Sequence, residues 1–145
     1  MKRIIIALFL SLSLLFVSCS NEADINNQEV VEEVEQYEVE VMITVPDEVD
    51  DFSPVEPMTV SAESGESIID VIQKTDLELD INGSGEDAFL EGINGLKTFD
   101  EGSESGWLVK VNGELIDVGP GAYFVEEGDE IEWIYTTDFN EIFES

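Results

Sequence analysis

The sequence predicts an α+β domain, mostly β, with one short helix packed on a sheet. Three observations predict it. Residues from Tyr37 to Val45 and from Met58 to Ala62 alternate apolar and polar side chains, a single capped helical face follows at Ser67, and alternation resumes beyond residue 88 around glycine-marked turns. Strand, strand and helix followed by about four strands leave one sheet face for the helix to cover.

Each element has its own signal. Tyr37, Val39, Val41, Ile43 and Val45 share one side of a strand that ends at Pro46, and Met58, Val60 and Ala62 repeat the pattern after the acidic loop "DEVDDFSPVEP". Period-two alternation places such residues on one buried face. In "SGESIIDVIQKT", Ser67 and Asp70 stand three apart as a capping box, and Ile68, Ile69 and Ile72 form a helical face of about two turns. After a polar stretch, "AFLEGING" reads as a strand running into an Asn94-Gly95 turn. "GWLVKVNGELIDVG" reads as a hairpin: Trp107, Val109 and Val111 alternate with Leu108 and Lys110 ahead of Asn112-Gly113, the signal of a type I′ turn. "AYFVEEGDEIEWIY" predicts a further strand, a Gly128-Asp129 turn, and a last strand carrying Ile131, Trp133 and Tyr135. The expected core is Val39, Val41, Ile43, Ile68, Ile72, Val109, Val111, Ile131 and Trp133.

The front of the chain predicts export. A positive start, Met1 to Arg3, precedes the apolar run "IIIALFLSLSLLFV", shorter than the roughly 20 residues of a membrane span but suited to a secretory signal. The run ends in "FVSC", which resembles a bacterial lipobox, with Phe16 in place of the usual Leu. The resemblance implies a signal peptide over residues 1–18 and lipidation of Cys19, whose acyl chains would hold the protein to the lipid bilayer at the extracellular face of the cell membrane. An ordinary cleaved signal followed by a free thiol is the alternative. Residues 19–36 are polar and acidic and read as a flexible linker, 37–138 as the domain, and 139–145 as an acidic tail. Cys19 is the only cysteine, so no intrachain disulfide can support the domain.

Charge and composition exclude several function classes. Beyond residue 18 three lysines stand against 35 acids, a net charge of −32. Such a surface repels phosphate backbones, so no nucleic-acid partner is expected. It accepts neutral ligands, cations or basic partners, and it also serves solubility alone. With no histidine and no thiol inside the domain, neither a Ser–His nor a Cys–His arrangement can be built, and the chain is read as a non-enzyme without a resident cofactor. "DINGSGEDAFLE" matches a calcium loop, with Asp80, Asn82, Ser84 and Glu86 at odd ligand positions and Glu91 at the twelfth. Asp87 occupies a place that such a loop keeps apolar, and no helix signal follows. The preferred reading is a polar connector with no metal.

The order of these elements resembles the C-terminal β-domain of transcobalamin and intrinsic factor, in the single-domain form found in bacterial proteins. "SGESIIDVIQKT", "DAFLEGINGL" and "GWLVKVNGE" with "GPGAYFVEEGDEIEWIY" carry the resemblance, over about residues 37–137. It implies a β-grasp-like sheet and a ligand-binding surface at Phe89, Leu90, Trp107, Leu108 and Val109, with cobalamin, a related corrinoid or another neutral small molecule as the ligand. The chain departs from the animal proteins in lacking their helical domain and the histidine that binds cobalt. From the residues alone Trp133 is expected in the core, while Trp107, opening its strand behind "GSESG", suits either core or site. The resemblance makes Trp107 the ligand-facing candidate, part exposed over a shallow apolar hollow. Two functions follow as expectations: a lipid-anchored binder that passes its ligand to a transporter, or a surface module that binds another protein.

Overall fold

The computed structural model describes residues 34–143. The signal segment 1–18, Cys19 and the linker as far as residue 33 lie outside the described residues, as do residues 144 and 145. Among the described residues, no helix is long and apolar enough to cross a membrane.

Among the described residues, eight strands and two short α-helices follow one another as β1 (Gln36–Thr44), β2 (Met58–Glu63), α1 (Ile68–Ile72), β3 (Leu79–Asn82), β4 (Phe89–Ile93), β5 (Leu96–Lys97), β6 (Gly106–Val111), β7 (Glu114–Leu115), β8 (Glu130–Thr136) and α2 (Phe139–Phe143). A five-stranded sheet has the order β2-β1-β8-β6-β7, and a three-stranded sheet the order β3-β4-β5. β1 and β8 are parallel, whereas β1–β2, β6–β8 and β6–β7 are antiparallel. The protein is therefore α+β and mostly β, and the first and last strands meet at the centre of a grasp-type sheet. Parallel pairing needs a long crossover, and the 85 residues between Thr44 and Glu130 supply it.

Register puts the alternating apolar residues together. Val41 pairs with Ile131 and Ile43 with Trp133; Val109 pairs with Trp133 and Val111 with Ile131. All nine residues expected in the core are buried and belong to one apolar cluster. α1 completes it: Ile68, Ile69, Val71 and Ile72 are all buried, and each such side chain contributes about 1.5–3 kcal/mol. The predicted capping box is present, with Ser67 Oγ accepting from Asp70 N at 3.2 Å and Ser67 N donating to Asp70 Oδ2 at 2.8 Å. The two Asn-Gly pairs make the predicted turns, with φ of 49° and 85° at Asn94-Gly95 and 52° and 84° at Asn112-Gly113, the left-handed pair that a type I′ turn requires.

Three segments differ from expectation. The strand expected near "AYFV" is a single bridge, Ser67 to Phe124. Its backbone instead ties the helix entry, with Ile68 N donating to Tyr123 O and Val125 N to Glu66 O. The polar stretch before residue 88 contains β3, which pairs with β4 through a register shift at Asp80/Ile81; its alternation, Leu79-Asp80-Ile81-Asn82, is only four residues long and half-buried. The presumed tail forms α2, whose Phe139 N donates to Glu104 O at 2.9 Å. A Cβ at Gly106 would come within 2.7 Å of Phe139 Cζ and 2.9 Å of Thr98 Cγ2, so glycine there lets α2 seat against the sheet.

Candidate functional site

β4 and β5 lie against β6, and a cavity of about 650 Å³ opens where they meet. Phe89, Leu90, Trp107, Leu108 and Val109, drawn from two separate strands, all border it. The fold thus brings the five candidate residues to one place. Trp107 and Val109 share the inner face of β6, and Trp133 reaches the same wall from β8. Leu108 borders the cavity as well, although strand alternation turns its side chain the other way.

Trp107 is not part exposed. It is 8% accessible, edge-on to Tyr135 at 5.1 Å and to Phe52 at 6.1 Å between ring centroids. Its Nε1 donates to Leu96 O at 2.9 Å. An indole that packs on two rings and satisfies its one donor is a core anchor, and this one pins β5 of the small sheet to the main sheet. Position at a strand end suggested exposure, and Phe52, from the acidic loop after β1, removes it. Trp133 is buried as expected, at 2%, yet its Nε1 has no hydrogen-bond partner.

Other residues of the wall carried no signal in the strand pattern. Lys97 borders the cavity from β5, Phe99, Val118 and Pro120 from loops, and Phe139 from α2. Phe89, Phe99 and Val118 are exposed large apolar side chains, so the cavity has an apolar rim as well as apolar walls. An aromatic in a turn-rich stretch, as in "LKTFDEGSESG", was the one available sign of Phe99. Gly121 fits a close approach beside this rim: a Cβ there would lie 2.4 Å from Gly85 O and 2.7 Å from Ala88 O.

The charged groups at the cavity are engaged within the chain. Lys97 Nζ stands 2.7 Å from Asp80 Oδ2. That hydrogen bond and the charge of Asp80 hold the ammonium above its ordinary pKa, with Asp100 and Glu91 adding to the effect. Glu91 Oε1 accepts from Asn82 Nδ2 at 3.1 Å. These pairings also correct the calcium-loop alternative. Asp80 and Asn82 lie on β3, Ser84 just ahead of a 3₁₀ turn at Gly85–Asp87 that holds Glu86, and Glu91 on β4, with no flanking helices. Among the described residues, no three or more of His, Cys, Asp and Glu gather where they could hold a metal ion.

Residues 65–137, from the turn before α1 to the end of β8, match the family described as a domain of unknown function, DUF4430. No curated protein matches the chain. Among solved structures, the chain is similar to haptocorrin in complex with Cbi, at 16% identity and a TM-score of 0.54 over 72% of this chain. The match spans 26% of the haptocorrin chain. It is also similar to a protein from Ruminococcus gnavus ATCC 29149 described as a putative metal binding protein, at 14% identity and a TM-score of 0.51, over 69% of this chain and 96% of that one. At these identities the likeness is one of fold, and it agrees with the grasp-type order described above.

Proposed function

The chain belongs to the DUF4430 family, and from that premise we propose that it is a membrane-anchored extracellular module that captures a neutral small molecule. The observation that carries the reading is the cavity of about 650 Å³ bordered by Phe89, Leu90, Trp107 and Trp133. Ligand sites are typically concave and largely apolar, and about 300–1,000 Å³ in volume. Both charged side chains that border it already have partners, so an uncharged ligand meets no desolvated charge left unpaired. A corrinoid fits this chemistry as a flat apolar disc rimmed with amides, and the haptocorrin likeness supports it as the first candidate. Lipidation of Cys19 would tether the module, and a transporter would receive the ligand. Nothing in this reading asks for catalysis.

A second reading is a protein-binding surface module. The outer side of the main sheet favours it, since Glu38, Glu40 and Glu130 stand exposed there and would suit a basic partner. Equilibrium dialysis of residues 34–145 against cobalamin distinguishes the two: saturable uptake supports capture, and none removes the corrinoid. Cys19→Ala in the full chain should leave the detergent phase for the aqueous phase; retention by the membrane would refute the lipid anchor.

A further inference from the structure

We propose that Phe99 is the residue that grips the ligand, and that the ligand presents a flat, uncharged apolar face to it. The inference rests on the capture reading above and adds a residue and a ligand class to it.

Phe99 carries two costs at once. Its φ of 73° is left-handed, a region in which Cβ crowds the following carbonyl and a bulky residue is an outlier. The residue is 63% accessible, the most exposed large apolar residue among those described. Elsewhere the chain avoids the first cost. Every other positive φ among the described residues falls on a glycine or on Asn94 or Asn112, types that tolerate it. A residue that is mostly solvent-exposed, on a backbone that disfavours it, adds little to the fold.

The loop nevertheless holds Phe99 in place from both sides. Phe99 N donates to Ser105 O at 3.1 Å, and Phe99 O accepts from Gly102 N at 3.3 Å. Lys97 N donates to Asp100 Oδ2 at 2.8 Å. Ser105 is fully buried, its Oγ donating to Gly102 O at 2.9 Å and accepting from the Tyr135 hydroxyl at 3.0 Å. Tyr135 Oη also lies 2.9 Å from Lys97 O. Strain persists where surrounding bonds over-determine it, and such places gather at ligand clamps. The product is a hydrogen-bonded loop that presents an exposed phenylalanine at the cavity, where Phe89 and Val118 are exposed too.

The ligand class follows from the same surroundings. Phenyl rings favour flat apolar or aromatic faces. Lys97 and Glu91, the charged side chains of the wall, are held by Asp80 and Asn82.

Nile red, a planar uncharged dye, is the probe, titrated fluorimetrically into wild-type protein, Phe99→Asn and Phe99→Tyr, with melting temperatures measured in parallel. Asn keeps the left-handed backbone at low cost, and Tyr keeps the ring. Phe99→Asn should weaken dye binding by about tenfold or more while its melting temperature stays level or rises; Phe99→Tyr should bind like wild type. Dye binding unchanged in Phe99→Asn overturns the grip, and so does a lowered melting temperature, which would make the ring a packing element. A wild-type protein that takes up no dye would sink the capture reading along with it, whereas uptake indifferent to Phe99 defeats the grip alone.

Discussion

The two halves of the five-stranded sheet are closed by different means. β2 lies against α1, whose four apolar residues are all buried, whereas β6 lies against β4 of the small sheet, and there the cavity remains. In the first half a capped helix fills the space over the strands. In the second, hydrogen bonds and ring contacts from Trp107 and Tyr135 hold a second sheet and a loop at a distance. Three exposed apolar residues, Phe89, Phe99 and Val118, border the cavity of the open half, while Phe124 is exposed beside the helix entry of the closed one. One sheet thus provides a packed half under a helix and a propped half that leaves a cavity.

The largest test of this contrast is Trp107→Ala. If Trp107 props the open half, its loss should cost about 3–5 kcal/mol, the range for a buried aromatic, and should leave Leu96 O without its donor. Trp107→Phe keeps much of the buried area and loses the hydrogen bond, so it should cost less than Trp107→Ala. Denaturant melts of both variants measure the difference. A cost below about 1 kcal/mol for Trp107→Ala would mean that the open half is draped over the sheet and not propped by this residue.

A smaller effect is expected in the closed half from Ser67→Ala. It removes the side-chain acceptor of Asp70 N and should cost about 1 kcal/mol, as helix caps do. Dye uptake in the open half should stay at the wild-type level. Coupled loss of both would show that the two halves are not separable in the way the contrast requires.

The smallest effect lies in alkaline pH. Burial pushes the Tyr37 and Tyr123 phenols above their ordinary pKa of 10.0, and the Asp129 and Glu126 carboxylates push them the same way. A raised folded value means that folding favours the neutral phenol. Stability from this source is therefore complete below pH 10.0 and is lost as the pH climbs through the folded values. The Tyr37 hydroxyl donates to Val125 O beside the helix entry, so the loss belongs to the closed half. Tyr37→Phe should lower stability at neutral pH and flatten its fall at alkaline pH, as read from melting temperatures across that range.

How much of this was legible follows the range of the interactions. Val39, Val41 and Ile43, the Ser67–Asp70 box and the two Asn-Gly turns were readable because each depends on neighbours within a few residues. β3 was not, since its alternation spans only four half-buried residues and it is a strand only through its pairing with β4, and the bridge at Phe124 replaced a strand because the helix entry claimed that backbone. The five residues expected at the site do meet at one cavity. The part exposure expected of Trp107 did not survive, for Phe52, 55 positions away, packs on the indole, although the residue still borders the cavity.

By itself the sequence determined the order and period of most strands, the capped helix, the acidic surface, and the lack of histidine that excludes imidazole chemistry. These are set by local backbone preference and by composition, which need no fold to be evaluated. Only the tertiary structure decided how strands distant in the chain pair, that β1 and β8 lie parallel at the centre, that a cavity stands beside β6, and that Phe99 is held left-handed at its wall. Those features depend on contacts between residues far apart in the chain, and the cost of a strained or exposed ring becomes visible only when its neighbours are in place.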